Sequence, residues 1–277
     1  MNWSNRRRDV GARAGLTLCR SYVAAYVHCV PVRYLPHGGD SCGAAHWWIG
    51  SRRDGSETLG VWLAAEARQQ TCRQILADIR HRGLERIRFA VTDDPTAFGE
   101  DLQKQFPGAL SLPSIASLLD RSVRQVQTRD RAPVKNHLLA ILQAGSHQAA
   151  QQSISEFESS RWAARYPALV THWRLALDQG RPLWSLAPTL RREVLRGDAR
   201  ATSLHLSVGK ALARHGGFAD PGAALSFVQA ALARAQRRFD AARSTATSAH
   251  RPLREGSPFR GARRLNGRRF LFAEPGW

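Results

Sequence analysis

The chain is poor in lysine, cysteine and acidic residues, and it has no long apolar run. Lys104, Lys135 and Lys210 are its only lysines, although Lys and Arg together number 41 against 22 Asp and Glu. Nearly all of the positive charge is therefore arginine, and the formal net charge is +19. A GC-rich genome explains arginine in place of lysine. It does not explain the size of the excess. Arginine meets phosphate through a planar, bidentate fork, so this balance points to a polyanionic partner such as a nucleic-acid backbone. The 4 cysteines, Cys19, Cys29, Cys42 and Cys72, form no C-x-x-C pair. That excludes a zinc ribbon or a disulfide framework on spacing grounds and fits a reducing compartment. No stretch approaches the length of a membrane span. The apolar run from Tyr22 to Val32 follows Arg6-Arg7-Arg8, but Arg13 and Arg20 interrupt the lead-in, His28 sits inside the run and no small-residue cleavage site follows clearly, so it does not read as a signal peptide. The chain reads as cytoplasmic.

What the chain does have is centred on RIRFAVTDDPTAF, Arg86 to Phe98. Ile87, Phe89 and Val91 alternate with Arg88 and Ala90, which predicts a strand buried in a sheet. The strand stops at Asp93-Asp94, and Pro95 suits the first turn of a helix. In open α/β sheets chemistry collects at the carboxyl ends of strands. Asp93 there is a natural ligand for a hard divalent cation, or Asp93 or Asp94 simply caps the helix; both readings stand at this point.

Around that stretch the chain divides as follows. Residues 1–20 are Arg-rich and lack periodicity, and read as a disordered basic N-terminus. Ser21 to Tyr34 is β-branched and aromatic and predicts a strand, with Tyr22, Ala24, Tyr26 and His28 on one face and Pro31 marking an edge or a bulge. Leu35 to Gly43 reads as a loop. His46 to Gly50 and Glu57 to Ala64 predict two further strands joined across Asp54-Gly55, a three-stranded meander. Glu66 to Arg82 predicts a helix closed by Gly83, with Cys72, Ile75, Leu76 and Ile79 on one face. After the Asp93 strand comes a short helix ending near Phe106-Pro107, then a strand at Ala109 to Leu112. Residues 114–196 show only helical patterning, with Trp173 and Trp184 as packing residues. Thr202 to Arg214 and Pro221 to Arg238 predict two last helices, and residues 241–277 read as a disordered basic tail. The class is α/β. Three antiparallel-looking strands, helix, strand, helix, strand is the order of an RNase H-like mixed sheet, one α/β option among several on pattern alone.

The residues also resemble a known family. Leu59-Gly60-Val61-Trp62-Leu63, Arg82-Gly83-Leu84-Glu85 leading into Asp93, Phe98 and Phe106-Pro107 are similar to the core of mutator-type insertion-sequence transposases. So are Glu156-Phe157-Glu158, Trp162, Tyr166-Pro167 and Trp173, then Ser203-Leu204, Lys210 and Gly216-Gly217-Phe218. The resemblance implies an RNase H-like core at 21–113, an all-helical insertion at 114–196, and the final helices of the catalytic core at 197–240. It implies an Asp-Asp-Glu triad holding two Mg²⁺ ions, hydrolysis at a transposon end, and attack of the freed 3′-hydroxyl on target DNA. Two metals would stabilise both the entering and the leaving oxygen of the in-line displacement. DNA, as element ends and target, is the implied partner, along with further copies of the chain, in a bacterial, nucleoid-associated setting.

Carried over position by position, the triad is incomplete. The second Asp falls on Asp93. The first falls on Tyr26, and the Glu falls on Thr202. The family's Cys-x-x-His pair after the last strand corresponds to Pro113 and Ala116. A phenol with an ordinary pKa near ~10 and a neutral hydroxyl cannot supply the missing charge. Substitutes within reach are Asp198, one helical turn before Thr202 if the chain there is helical, and His28, which shares the Tyr26 face and either binds a softer metal or is an ordinary half-buried histidine. The family's helical DNA-binding region ahead of the core has no counterpart before the first strand. A truncated and degenerate copy is therefore expected: a transposase that cleaves with metal or, alternatively, an inactive remnant that binds DNA or interferes with an intact transposase.

Overall fold

The computed structural model describes residues 17–34, 41–64 and 69–249. Its strands are β1 (Ser21–Tyr34), β2 (Ser41–Arg52), β3 (Gly55–Ala64), β4 (Arg86–Thr92) and β5 (Leu110–Pro113). They form one mixed sheet in the order β3-β2-β1-β4-β5. The first three are an antiparallel meander, while β4 pairs in parallel with β1 and β5 with β4. Parallel neighbours need crossovers. α1 (Gln69–His81) supplies the one between β3 and β4, and α2 (Pro95–Gln105) the one between β4 and β5.

α1 presents Ile75, Leu76 and Ile79, and α2 presents Phe98 and Leu102, to a core that also holds Ala25, Val27, Trp48, Trp62 and Ile87. Phe98 and Trp62 each meet Trp48 edge-on, at 5.3 and 6.2 Å between ring centres. Gly83 stops α1. It takes φ +100°, and the amides of Gly83 and Leu84 bond back to the carbonyls of Arg80 and Ile79, so the last turn is closed by a residue for which positive φ costs nothing.

The remaining chain is helical: α3 (Ile115–Gln125), α4 (Arg131–Gln143), α5 (His147–Glu158), α6 (Arg161–Arg165), α7 (Pro167–Gln179), α8 (Arg181–Trp184), α9 (Pro188–His215) and α10 (Pro221–Ala249). Trp173 and Trp184 are buried, and the Trp173 indole N–H donates to Ser122 Oγ at 3.0 Å. Asp130, also buried, accepts from the Tyr166 hydroxyl at 2.7 Å and pairs with Arg165 at 3.1 Å. α9 lies against β1 and α3. Residues up to Ala235 form one compact unit; a second begins at Gln236, and its described part is the stretch of α10 to Ala249.

The architecture is thus mixed α/β, with a five-stranded mixed sheet. Several boundaries differ from the sequence reading. Ser41 to Gly43 belong to β2 and not to a loop, because they continue the ladder opposite β1; residues 35–40 lie outside the described set. Pro31 stands beyond the last β1–β4 pair, at Tyr26–Val91, where its missing N–H costs no ladder bond to β4. Leu18, in the segment read as disordered, is buried in the core and its amide bonds to the Arg82 carbonyl at 2.9 Å. α9 starts fourteen residues ahead of Thr202, so the boundary drawn at 196/197 falls inside a continuous helix. α10 runs on to Ala249, past the point where the tail was read to begin. The tail beyond, and residues 1–16, lie outside the described residues.

Candidate functional site

β4 is buried from Phe89 to Thr92, and Asp93 follows it at the surface. The Thr92 carbonyl accepts from the Ser114 amide at 2.8 Å, which ties the end of β4 to the start of α3. Arg121 of α3 comes within 3.9 Å of Asp93. Tyr26 of β1 is the register partner of Val91, two residues before Asp93, so alternation puts Tyr26 and Asp93 on the same side of the sheet.

α9 crosses that side. Its buried residues Val194, Asp198 and Thr202 recur every four positions and form one stripe. Tyr26 is 1% exposed. Its hydroxyl donates to the Val194 carbonyl at 3.1 Å, and its ring lies over Gly197, where an added Cβ would stand 1.9 Å from Tyr26 Oη. Burial, then the charges of Asp198 and Glu193, push the phenol further above its ordinary range, so it is neutral. Thr202 is buried, and its Oγ1 has no hydrogen-bond partner among the described residues.

Asp198 does lie on a helix one turn before Thr202, as the rescue reading requires, but its carboxylate is already used. It accepts from Ser114 Oγ at 2.6 Å and from the Ala116 amide at 2.8 Å. It therefore satisfies the amino end of α3, together with Ser114, whose Oγ accepts from the Ser117 amide. Burial raises Asp198 to about 6, against the lowering effect of these bonds. Ala116 and Pro113, the counterparts of the family's Cys-x-x-His pair, thus serve as an amide that Asp198 holds and as the last residue of β5.

His28 is fully buried, not half-buried, at 2% exposure, and neither ring nitrogen has a partner. Its ring stacks on His205 of α9 at 5.0 Å, and Trp47, its register partner on β2, sits 5.4 Å from His205. Burial, then the neighbouring His205, lowers His28 to about 3, so it is a neutral ring in a packed layer. Stacked imidazoles direct their in-plane lone pairs side by side and not toward a common point, a poor arrangement for sharing one metal.

Of the predicted site residues, Asp93, Tyr26, Thr202, Asp198 and His28 do gather between β1, β4 and α9. His205, Arg121, Gly197 and Ser114 complete the arrangement and went unread in the sequence. The set does not fit a pair of Mg²⁺ ions. It offers one uncommitted carboxylate beside a guanidinium, a neutral phenol and a hydroxyl, whereas hard dications need several anionic oxygens. Among the described residues no three His, Cys, Asp or Glu side chains come together in a way that could hold a metal ion.

Residues 13–242 match the family described as "Transposase, Mutator family". The chain is also similar to the "Transposase for insertion sequence element ISRM3" of Rhizobium meliloti (strain 1021), at 25% identity over 218 residues, covering 78% of this chain and 54% of that protein. It is similar to the same extent to the "Probable transposase for insertion sequence element ISRM3-like" of Sinorhizobium fredii (strain NBRC 101917 / NGR234). It spans about half the length of these curated relatives. The family match takes in every element that carries Tyr26, Asp93, Asp198 and Thr202, and the chain belongs to the mutator family of transposases.

Proposed function

We propose that this chain is a DNA-binding member of the family without metal-dependent strand cleavage of its own. The observation that carries the reading is Tyr26. At the position where the resemblance puts the first metal-binding Asp, a neutral ring fills the space against Gly197 and bonds to the Val194 carbonyl. A two-metal displacement is almost wholly electrostatic, and removing a single stabilising group elsewhere costs roughly 10²–10³-fold in rate. Here two of three anions are replaced by neutral groups. The sheet order and its two parallel pairings, β1 with β4 and β4 with β5, support an RNase H-like assignment for the core. DNA binding rests on the arginine excess and the net charge of +19, and the relatives' names make insertion-element DNA the natural ligand.

The test is a strand-cleavage and strand-transfer assay on labelled element-end DNA with Mg²⁺ or Mn²⁺, using Asp93→Ala as control. The expected result is binding without product above the Asp93→Ala background, and an affinity that falls steeply between about 50 and about 200 mM salt. Metal-dependent nicking that Asp93→Ala abolishes would overturn it.

A further inference from the structure

The end of the sheet opposite Asp93 has a different character. There β1 and β4 begin and the β2–β3 turn lies, and between them is a groove of about 580 Å³. Arg52, Arg53, Arg86 and Arg88 line it together with two acids, Asp54 and Glu85. Both acids are already matched to arginine. Arg52 pairs with Asp54 at 3.1 Å and reaches Glu57 at 3.4 Å, and Arg20 pairs with Glu85 at 2.8 Å. Arg53, Arg86 and Arg88 are exposed, and none has a carboxylate partner among the described residues. Arg86 and Arg88 stand outward because Ile87 and Phe89 alternate with them into the core, and the Arg88 guanidinium lies 5.1 Å from the Phe89 ring centre. Both are thus held on a strand that pairs with β1 along this stretch and is joined by β5 from Phe89 onward.

We infer that this groove is a second DNA-backbone contact, taking phosphates on Arg53, Arg86 and Arg88 without metal. It rests on the DNA-binding reading above and names a surface for it. Three uncompensated guanidiniums converging on one concave surface suit a repeating polyanion. Bidentate arginine–phosphate pairing needs no other group from the protein. Fixed on a strand and a tight turn, these side chains lose less freedom on binding than the same side chains would on an unstructured segment.

The test measures full-chain affinity for duplex DNA as a function of salt, in EDTA. It compares the parent with the triple variant Arg53→Gln/Arg86→Gln/Arg88→Gln and with a triple of equal charge loss on exposed helical arginines, Arg181→Gln/Arg196→Gln/Arg214→Gln. Circular dichroism and melting confirm that each variant folds. The groove triple should bind about 10- to 100-fold more weakly near 100 mM salt, and its log–log salt slope should shrink by about 0.9 for each lost contact, more than the control's. Asp54→Asn, which removes an acid from the same groove, should bind more tightly, by about two- to threefold. Equal weakening by the two triples, or a groove triple that binds like the parent, overturns the groove and leaves the DNA-binding reading standing. A parent that does not bind duplex overturns both. Loss of polyglutamate binding with duplex binding intact overturns the groove in favour of an acidic protein partner.

Discussion

At the carboxyl end of β4, Asp93 looks onto a layer of buried rings; at the amino end of the same strand, Arg86 and Arg88 look onto water. The first end is closed by packing. Tyr26, His28 and Trp47 are buried there, and the half-buried His205 stacks on His28, which leaves neutral rings and no cluster of anionic oxygens. The second is open and charged: Arg52 is matched to acids, while Arg53, Arg86 and Arg88 have no carboxylate partner among the described residues. The difference follows from what each task demands. A two-metal centre needs a hydrated, strongly negative pocket, whereas a packed layer needs neutral groups and small residues such as Gly197 to let a ring approach. One end of a strand cannot satisfy both.

The largest expected effect breaks the comparison at His28. Because burial holds His28 near 3 in the fold against an unfolded value of 6.5, its stability contribution is complete above pH 6.5 and is lost as pH falls toward 3. Relative to His28→Phe, the parent should lose about 4–5 kcal/mol across that window in urea melts. A parallel pH dependence of the two proteins would mean an imidazole that reaches water. Next is Gly197→Ala. Inside an ordinary helix it should stabilise by about 1 kcal/mol. Against the Tyr26 ring it should destabilise by about 3 kcal/mol, as overpacking does. In a Tyr26→Ala background the same change should be neutral or better, a sign reversal that thermal melts would read directly.

Asp198 sharpens the picture from the opposite direction. Its folded value of about 6 lies above the ordinary 3.8, so its contribution is greatest below pH 4 and falls as pH rises from about 4 to about 6. The difference between parent and Asp198→Asn should change by about 2–3 kcal/mol over that window. The smallest effect is at Asp93 itself. It is exposed and its contact with Arg121 is long, so Asp93→Ala should move stability by less than about 0.5 kcal/mol. A larger loss would make Asp93 part of the packed end.

Much of this was legible in the sequence where the cause is local. β1 shows itself by its β-branched and aromatic residues, β4 by alternation that ends at Asp93, and the stop of α1 by Gly83. The sequence puts the start of α9 late because Gly197, β-branched Thr202 and Ser203 are weak helix formers; contact with β1 overrides that preference, and Gly197 is the residue that lets Tyr26 in. The end of α10 was missed for the same kind of reason, since Ser, Thr and Ala after Arg243 carry no apolar period. In the site, the identities at 26, 93 and 202 could be read by position. The capture of Asp198 by Ser114, 84 residues away, could not, nor could the stacking of His28 on His205, because both depend on how α9 crosses the sheet.

The most direct measurement is a Mn²⁺ titration of the folded protein followed by electron paramagnetic resonance, run on the parent, on Asp93→Ala and on Tyr26→Asp/Thr202→Glu. The expected result is no stoichiometric Mn²⁺ on the parent, no change with Asp93→Ala, and binding gained when the two carboxylates are put in place. Stoichiometric Mn²⁺ on the parent that Asp93→Ala releases would contradict a packed, neutral end of the sheet.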